Sequence, residues 1–335
     1  MIAKDPRRTL AGFAQNTRGV TVPPTDLVPL GGTGLTVTRL GLGLAPIGGL
    51  YTDVTDDEAR AVVDSAWDLG IRLFDTSPLY GFGRSELRTG AALAGRSGHV
   101  LSTKVGRLIV PSDTVGDSSQ DFWAGVDPSV TPVFDFSAPG VRRSLEESLD
   151  RLGLDRVDVA LLHDPDDHLD QAVAEAYPEL ARLRAEGLIT AVGAGANSGA
   201  VLAHLVERVD LDVVLMAGRY TLLDRTGADL LDLAAERGVA VIAAGVFNSG
   251  ILADPRAGAT FNYAAADPAT LTRARELDAI CTAHGVPLRA AAIQFPLRHP
   301  AVVSVLVGTR SAAEVADAVA MAAQPVPAAL WEALG

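Results

Sequence analysis

The sequence predicts a single (β/α)8 barrel, and three observations carry that prediction. From about Leu40 onward, short runs of Val, Ile and Leu alternate strictly with amphipathic stretches. Eight such pairs follow one another, and eight parallel strands suffice to close a sheet on itself. An open doubly wound sheet would want a glycine-rich phosphate loop straight after its first strand. Here Gly41-Leu42-Gly43 lies inside the apolar run and Pro46 follows, which suits no helix start.

Taken in order, residues 1–25 hold several charges and the Pro23-Pro24 pair with little periodicity, and read as an N-terminal arm before a barrel spanning 26–335. The predicted strands are Leu40–Ala45, Ile71–Asp75, Val100–Lys104, Val157–His163, Ile189–Ala194, Val213–Met216, Val239–Ala244 and Val303–Val307. Helices are predicted at 56–69, 84–94, 138–152, 169–186, 198–208, 226–237, 267–284 and 311–322. Thr55 before Asp56-Asp57-Glu58, Ser137, and Ser311 with Glu314 three residues on are N-cap signals. Gly70, Gly187, Gly238 and Gly285 stand where helices should stop. One connection, 106–135, is too long for a simple turn. It carries Phe122, Trp123 and Phe134, and reads as a βα loop lying over the functional end as a substrate lid.

With 335 residues, 48% of them hydrophobic, the chain can bury a large core. Its net charge of −13 opposes nucleic-acid phosphates and anionic membrane surfaces, and no basic patch with interleaved aromatics offsets it. No apolar run approaches the roughly 18–20 residues of a membrane span. The charged N-terminus lacks the apolar stretch of a secretion signal, and a cytoplasmic protein is expected. The single cysteine, Cys281, falls in a helical pattern and reads as a buried thiol. His163-Asp164-Pro165-Asp166-Asp167-His168 has metal-ligand composition, but Pro165 breaks regular spacing, and no metal is expected.

In such a barrel the C-terminal strand ends converge on one mouth, where function sits. The second, third and fourth apolar runs end in Asp75, Lys104 and His163, and Thr76-Ser77-Pro78-Leu79-Tyr80 returns a phenol to the same neighbourhood. Read singly, each has a plainer explanation: a helix cap, a strand-end cation, an edge histidine, a packing ring. Together they allow a definite chemistry. An isolated tyrosine with a pKa near 10 moves protons poorly at neutral pH. A nearby ammonium favours the phenolate, a buried carboxylate holds that ammonium, and a histidine can orient a substrate oxygen. This set moves a proton at a carbonyl or alcohol oxygen and leaves the hydride to a redox partner.

The segments Phe74-Asp75-Thr76-Ser77-Pro78-Leu79-Tyr80-Gly81, Ser102-Thr103-Lys104-Val105-Gly106 and Asp158-Val159-Ala160-Leu161-Leu162-His163 resemble the aldo-keto reductase superfamily, from about residue 28 to 322. The resemblance implies a (β/α)8 TIM barrel of aldo-keto reductase type that binds NAD(P) at its mouth. It implies Tyr80 as general acid–base, Lys104 and Asp75 as its tuning pair, and His163 as the substrate-orienting group. Phe82-Gly83-Arg84-Ser85-Glu86, Ala217-Gly218-Arg219-Tyr220 and Gly245-Val246-Phe247-Asn248-Ser249-Gly250 are most similar to the branch of aldose 1-dehydrogenases, L-fucose and L-galactose dehydrogenases and pyridoxal 4-dehydrogenase. Oxidation of an aldose at carbon 1 to the lactone is therefore expected. NADPH-dependent reduction of an aldehyde or ketone is the alternative, and a cofactor-sensing regulatory subunit is the rival from another class.

For the dinucleotide, the resemblance implies Asn197 at the carboxamide, Phe247, Asn248, Ser249 and Gly250 near the pyrophosphate, and Gly308, Arg310, Ser311 and Glu314 at the last helix's N-terminus. Ala196 replaces the usual serine before Asn197. The usual aromatic platform falls at Ala244, for which Phe247 is the substitute. A carboxylate at Glu314 would repel a 2′-phosphate and leans the choice to NAD, while Arg310 pulls the other way. Tyr51, Trp123, Arg219 and Tyr220 are the expected substrate-side residues.

Overall fold

The computed structural model describes residues 23–112 and 122–335. Most of the expected arm, and the tip of the 106–135 connection, lie outside them. Eight parallel strands form a closed barrel: β3 (Leu40–Gly43), β4 (Leu73–Asp75), β5 (Val100–Val105), β8 (Val159–His163), β9 (Ala191–Ala196), β10 (Val213–Ala217), β11 (Ala240–Ala244) and β14 (Val302–Gly308). Each coincides with a predicted strand, and β14 closes the ring onto β3.

Two cores stabilise this ring. Leu73, Leu161, Leu215, Ile242 and Leu306 fill the interior, and small residues on facing strands make room for them. A Cβ on Gly41 would lie 2.6 Å from Leu306 Cδ2, and one on Gly193 would lie 2.6 Å from Leu161 Cδ2. The hairpin of β1 (Leu27–Pro29) and β2 (Thr36–Thr38) plugs the N-terminal end with Leu30 and Val37. The second core lies between the outer face of the sheet and α1 (Asp56–Asp68), α2 (Arg84–Leu93), α3 (Ala138–Leu152), α5 (Tyr177–Ala185), α6 (Gly199–Arg208), α7 (Ala228–Arg237) and α10 (Ala312–Ala323). Thr55, Ser137 and Ser311 cap α1, α3 and α10 as their sequences required.

The structure corrects three expectations. The predicted helix 169–186 is broken into a short turn, α4 (Leu169–Gln171), a π-helical turn at Ala172–Ala176, and then α5. In the seventh unit, α8 (Pro268–Ala283) is real but lies outside the ring. The unpredicted α9 (Leu288–Gln294) packs beside α10, with α8 and α11 (Ala328–Leu334) outside it. Its short Leu-Arg-Ala-Ala-Ala run has too little amphipathic period to stand out. The long connection, third, is folded at its base: β6 (Arg107–Pro111) pairs antiparallel with β7 (Val130–Phe134). A smaller hairpin, β12 (Thr260–Phe261) with β13 (Ala264–Ala265), lies in the loop after β11. Among the described residues no helix is long and apolar enough to cross a membrane.

Candidate active site

Sheet register assembles the floor of the mouth. Asp75 stands opposite Ser102, whose hydroxyl donates to Asp75 Oδ1 at 2.6 Å. Two residues along β5, on the same face, Lys104 donates to Asp75 Oδ2 at 2.7 Å, to the Thr76 carbonyl at 2.9 Å and to Tyr80 Oη at 3.0 Å. All three ammonium protons are therefore used. The Thr76–Gly83 turn delivers Tyr80 to this point. Its backbone runs hard against the loop after β3, where a Cβ on Gly48 would lie 2.7 Å from the Tyr80 carbonyl carbon. From the next strand, His163 meets the Tyr80 ring edge-on at 6.0 Å between centroids. Asp75, Tyr80, Lys104 and His163 thus come together.

Burial opposes the Lys104 charge, yet Asp75 and Tyr80 outweigh it and hold the ammonium above the ordinary lysine range. The tyrosine departs from its expected behaviour. Burial raises the Tyr80 phenol above 10, Lys104 offsets this only in part, and the Asp75 carboxylate behind it adds to the rise. The net direction is opposite to a simple lysine effect, because burial outweighs the Lys104 charge and Asp75 adds to the rise. His163 is pushed well below its ordinary value by burial and by the Arg107 and Lys104 charges, so it is neutral. Ser77 Oγ accepts from the Leu79 amide and lies 3.0 Å from His163 Nδ1, to which its own proton can go. That arrangement leaves the proton on Nε2.

Of the expected substrate-side residues, Trp123 packs tilted against the Tyr80 ring at 5.7 Å, with its indole nitrogen buried and unpartnered among the described residues. Tyr51 reaches the rim instead, with its ring 6.5 Å from that of Tyr263. Arg219 crosses to Asn262 Oδ1 at 3.0 Å and Asp224 at 3.5 Å. Tyr220 is not brought to the mouth: its ring packs on Phe295 at 5.1 Å and His299 at 5.9 Å, in the helical layer. In the irregular loop after β10, Arg219 and Tyr220 thus go to different neighbours. His168 likewise leaves His163 and packs between Phe134 and Phe136. Among the described residues no group of three His, Cys, Asp or Glu is placed to hold a metal.

The expected dinucleotide segments line one side of the mouth. Asn197 is exposed just beyond β9. Asn248 donates to the Gly218 carbonyl at 3.1 Å, while among the described residues its Oδ1 is buried without a partner, as is Thr309 Oγ1 between Gly308 and Arg310. Ser249 binds the β12–β13 hairpin, accepting from the Tyr263 amide at 2.9 Å. Gly250 follows Ser249 with φ +108°, where glycine is favoured. Phe247 is half-buried against the core, so the flat platform expected of it is not on offer there. Ser311 caps the Glu314 amide at 3.2 Å, and Glu314 Oε2 accepts from the Arg310 amide at 2.7 Å. These groups fit a bound dinucleotide: a ribose hydroxyl could donate to Asn248 Oδ1, and the Thr309 hydroxyl, beside the capped helix N-terminus, could donate to a phosphate.

Sequence reasoning missed several supporting residues. Ser77 and Ser102 sit inside the motifs already quoted, and alternation from Asp75 and Lys104 could have marked them. Arg84 gave no such signal. Its guanidinium donates to the carbonyls of Gly48, Ala124 and Gly125 and pairs with Asp53 at 3.1 Å, tying the β3 loop to the segment that carries Trp123. Also unforeseen, Arg107 donates to Asp164 Oδ2 at 2.7 Å and lies over the Phe134 ring.

This geometry agrees with comparison to known proteins. The aldo/keto reductase family matches residues 39–334, and the chain belongs to that family. It is 43% identical to a D-threo-aldose 1-dehydrogenase of Pseudomonas sp, over 90% of this chain and 94% of that protein. It is 41% identical to a pyridoxal 4-dehydrogenase of Microbacterium luteolum, over 91% and 95%. Among solved structures, the aldo-keto reductase AKR11C1 from Bacillus halodurans in its holo form superposes with TM-score 0.74 at 25% identity, covering 92% of this chain and 95% of that one. The protein is an oxidoreductase of a family that uses nicotinamide dinucleotides.

Proposed function

We propose that this oxidoreductase oxidises an aldose at carbon 1 to its lactone, with NAD as the preferred dinucleotide. The observation that carries the reading is the buried chain Asp75–Lys104–Tyr80 with neutral His163 beside it. In the oxidising direction the Tyr80 phenolate takes the proton of the anomeric hydroxyl, and Lys104 holds the phenolate charge before that transfer. His163 Nε2–H donates to the same oxygen and sets its position. Carbon 1 loses its hydrogen with both electrons, and its bond to oxygen becomes the lactone carbonyl. The dinucleotide supplies the hydride acceptor when bound. Asn197 would meet its carboxamide, Phe247–Gly250 and Thr309 its pyrophosphate region, and Glu314 its ribose hydroxyls. The likeness to an aldose 1-dehydrogenase supports the substrate class, and the Glu314 carboxylate supports NAD. A single, buried thiol fits a cytoplasmic place of work.

A second reading is reduction of an aldehyde or ketone with NADPH. Burial keeps Tyr80 protonated at neutral pH, which suits a general acid. Absorbance at the reduced-nicotinamide band separates the two. Faster formation of NADH than NADPH with L-fucose, L-galactose or D-arabinose is the expected result. Silence with every sugar alongside NADPH-dependent aldehyde reduction would move the protein to the second reading. No turnover in either direction would leave the regulatory-subunit reading.

A further inference from the structure

Asp164 is the residue after His163, and its backbone takes a left-handed conformation at φ +46° that non-glycine residues seldom adopt. Its amide is held by the Gly195 carbonyl at 2.9 Å, which fixes that conformation. The effect is to turn the side chain back toward the mouth rather than along the loop. One carboxylate oxygen, Oδ2, lies 3.5 Å from His163 Nε2 and accepts from Arg107 at 2.7 Å. The other, Oδ1, has no partner among the described residues. The Asp164 charge is felt by both Tyr80 and Tyr263, as befits a group inside the mouth. Burial raises the Asp164 carboxyl, and the Arg107 guanidinium counters that rise. Arg107 is itself fixed over the Phe134 ring at the base of the β6–β7 hairpin.

We propose that Asp164, held by Arg107, is a specificity-determining residue whose free oxygen accepts a hydrogen bond from the substrate hydroxyl next to the reacting carbon. The inference rests on the aldose reading given above. If His163 Nε2 and Tyr80 hold the oxygen on carbon 1, the carboxylate beside Nε2 is within reach of the oxygen one carbon along. A carboxylate is an acceptor only, so it rewards a hydroxyl there and gains nothing from a methylene. A buried polar group left unpaired is costly, which is how such a site rejects the analogue lacking the hydroxyl.

The test compares L-galactose with 2-deoxy-L-galactose on the wild type, Asp164→Asn and Asp164→Ala. Asparagine tolerates the left-handed conformation, so Asp164→Asn keeps the backbone where alanine would strain it. The wild type should favour the parent sugar in kcat/KM by roughly 10- to 100-fold, as a charge-assisted hydrogen bond allows. In Asp164→Asn that ratio should shrink several-fold, and in Asp164→Ala it should fall to near one. A loss shared equally by both sugars, with the ratio intact, would overturn the proposal and leave Asp164 as a support for His163. A wild type that does not distinguish the two sugars would also overturn it, while leaving the aldose reading standing. A wild type silent on both sugars but active on aldehydes would sink the aldose reading itself, and this inference with it.

Discussion

On the floor of the mouth Asp75, Ser102, Thr76 and Lys104 satisfy one another at 2.6 to 2.9 Å, whereas along the rim Asn248 Oδ1, Thr309 Oγ1 and Trp123 Nε1 are buried without partners among the described residues. The backbone divides in the same way. Tyr51, Phe82, Asp164, Asn248, Ser249, Asn262 and Tyr263 have positive φ, and all lie in loops, Phe82 in the turn that carries Tyr80 and the others around the mouth, while the strands beneath carry none. The floor is complete without a ligand and costs no reorganisation when one arrives. The rim stores strain and unmet hydrogen bonds, the condition of a surface whose remaining partners belong to a bound molecule.

Substitutions on the floor should therefore cost far more than those on the rim. Lys104→Met leaves the Asp75 carboxylate buried and unpaired, and should lower the unfolding free energy by about 3–5 kcal/mol. Urea denaturation would check it; a stability near the wild-type value would mean the pair is looser than 2.7 Å suggests. Tyr80→Phe should cut turnover by roughly 10³-fold while dinucleotide affinity, read by fluorescence titration, stays close to wild type. Retention of most of the rate would remove Tyr80 from its assigned role.

The pH profile sharpens the same contrast. Tyr80 titrates above 10, so below that range its phenolate fraction, and with it oxidation, should increase about tenfold for each unit that the pH is raised. His163 is lowered well below 6.5 and adds no second step in the neutral range. A flat profile from neutral to alkaline pH would contradict the Tyr80 assignment, and a separate step in the neutral range would contradict that of His163. Ser77→Ala removes the hydrogen bond that sets the His163 tautomer, together with the one from the Leu79 amide, and should cost up to about tenfold in kcat/KM. At the rim, Glu314→Gln should shift the NAD-to-NADP preference by only a few-fold, because its carboxylate is exposed and screened. No shift at all would remove Glu314 from the ribose contact proposed for it.

Much of this was legible in the sequence, and the residues show why. Asp75, Lys104 and His163 end apolar runs, and Thr55, Ser137 and Ser311 announce helices, because period and capping are local properties of the chain. Tyr220 and α9 were misread for the same reason. Which side of a loop faces the mouth, and which of two helices takes the inner place, depends on packing partners far away in the chain. Arg84 illustrates the gap: nothing in Gly83-Arg84-Ser85 says that it gathers carbonyls from residues 48, 124 and 125.

The sequence by itself determined the eight-fold strand–helix alternation and the residues that line the floor, since both follow from spacing along single strands. Only the tertiary structure decided the direction of the Tyr80 shift and the turning of Asp164 toward the mouth. The first is a balance of burial against two opposing charges, and the second a backbone conformation held by the neighbouring strand. Both depend on distances between segments remote in sequence, and electrostatic and steric energies are set by those distances.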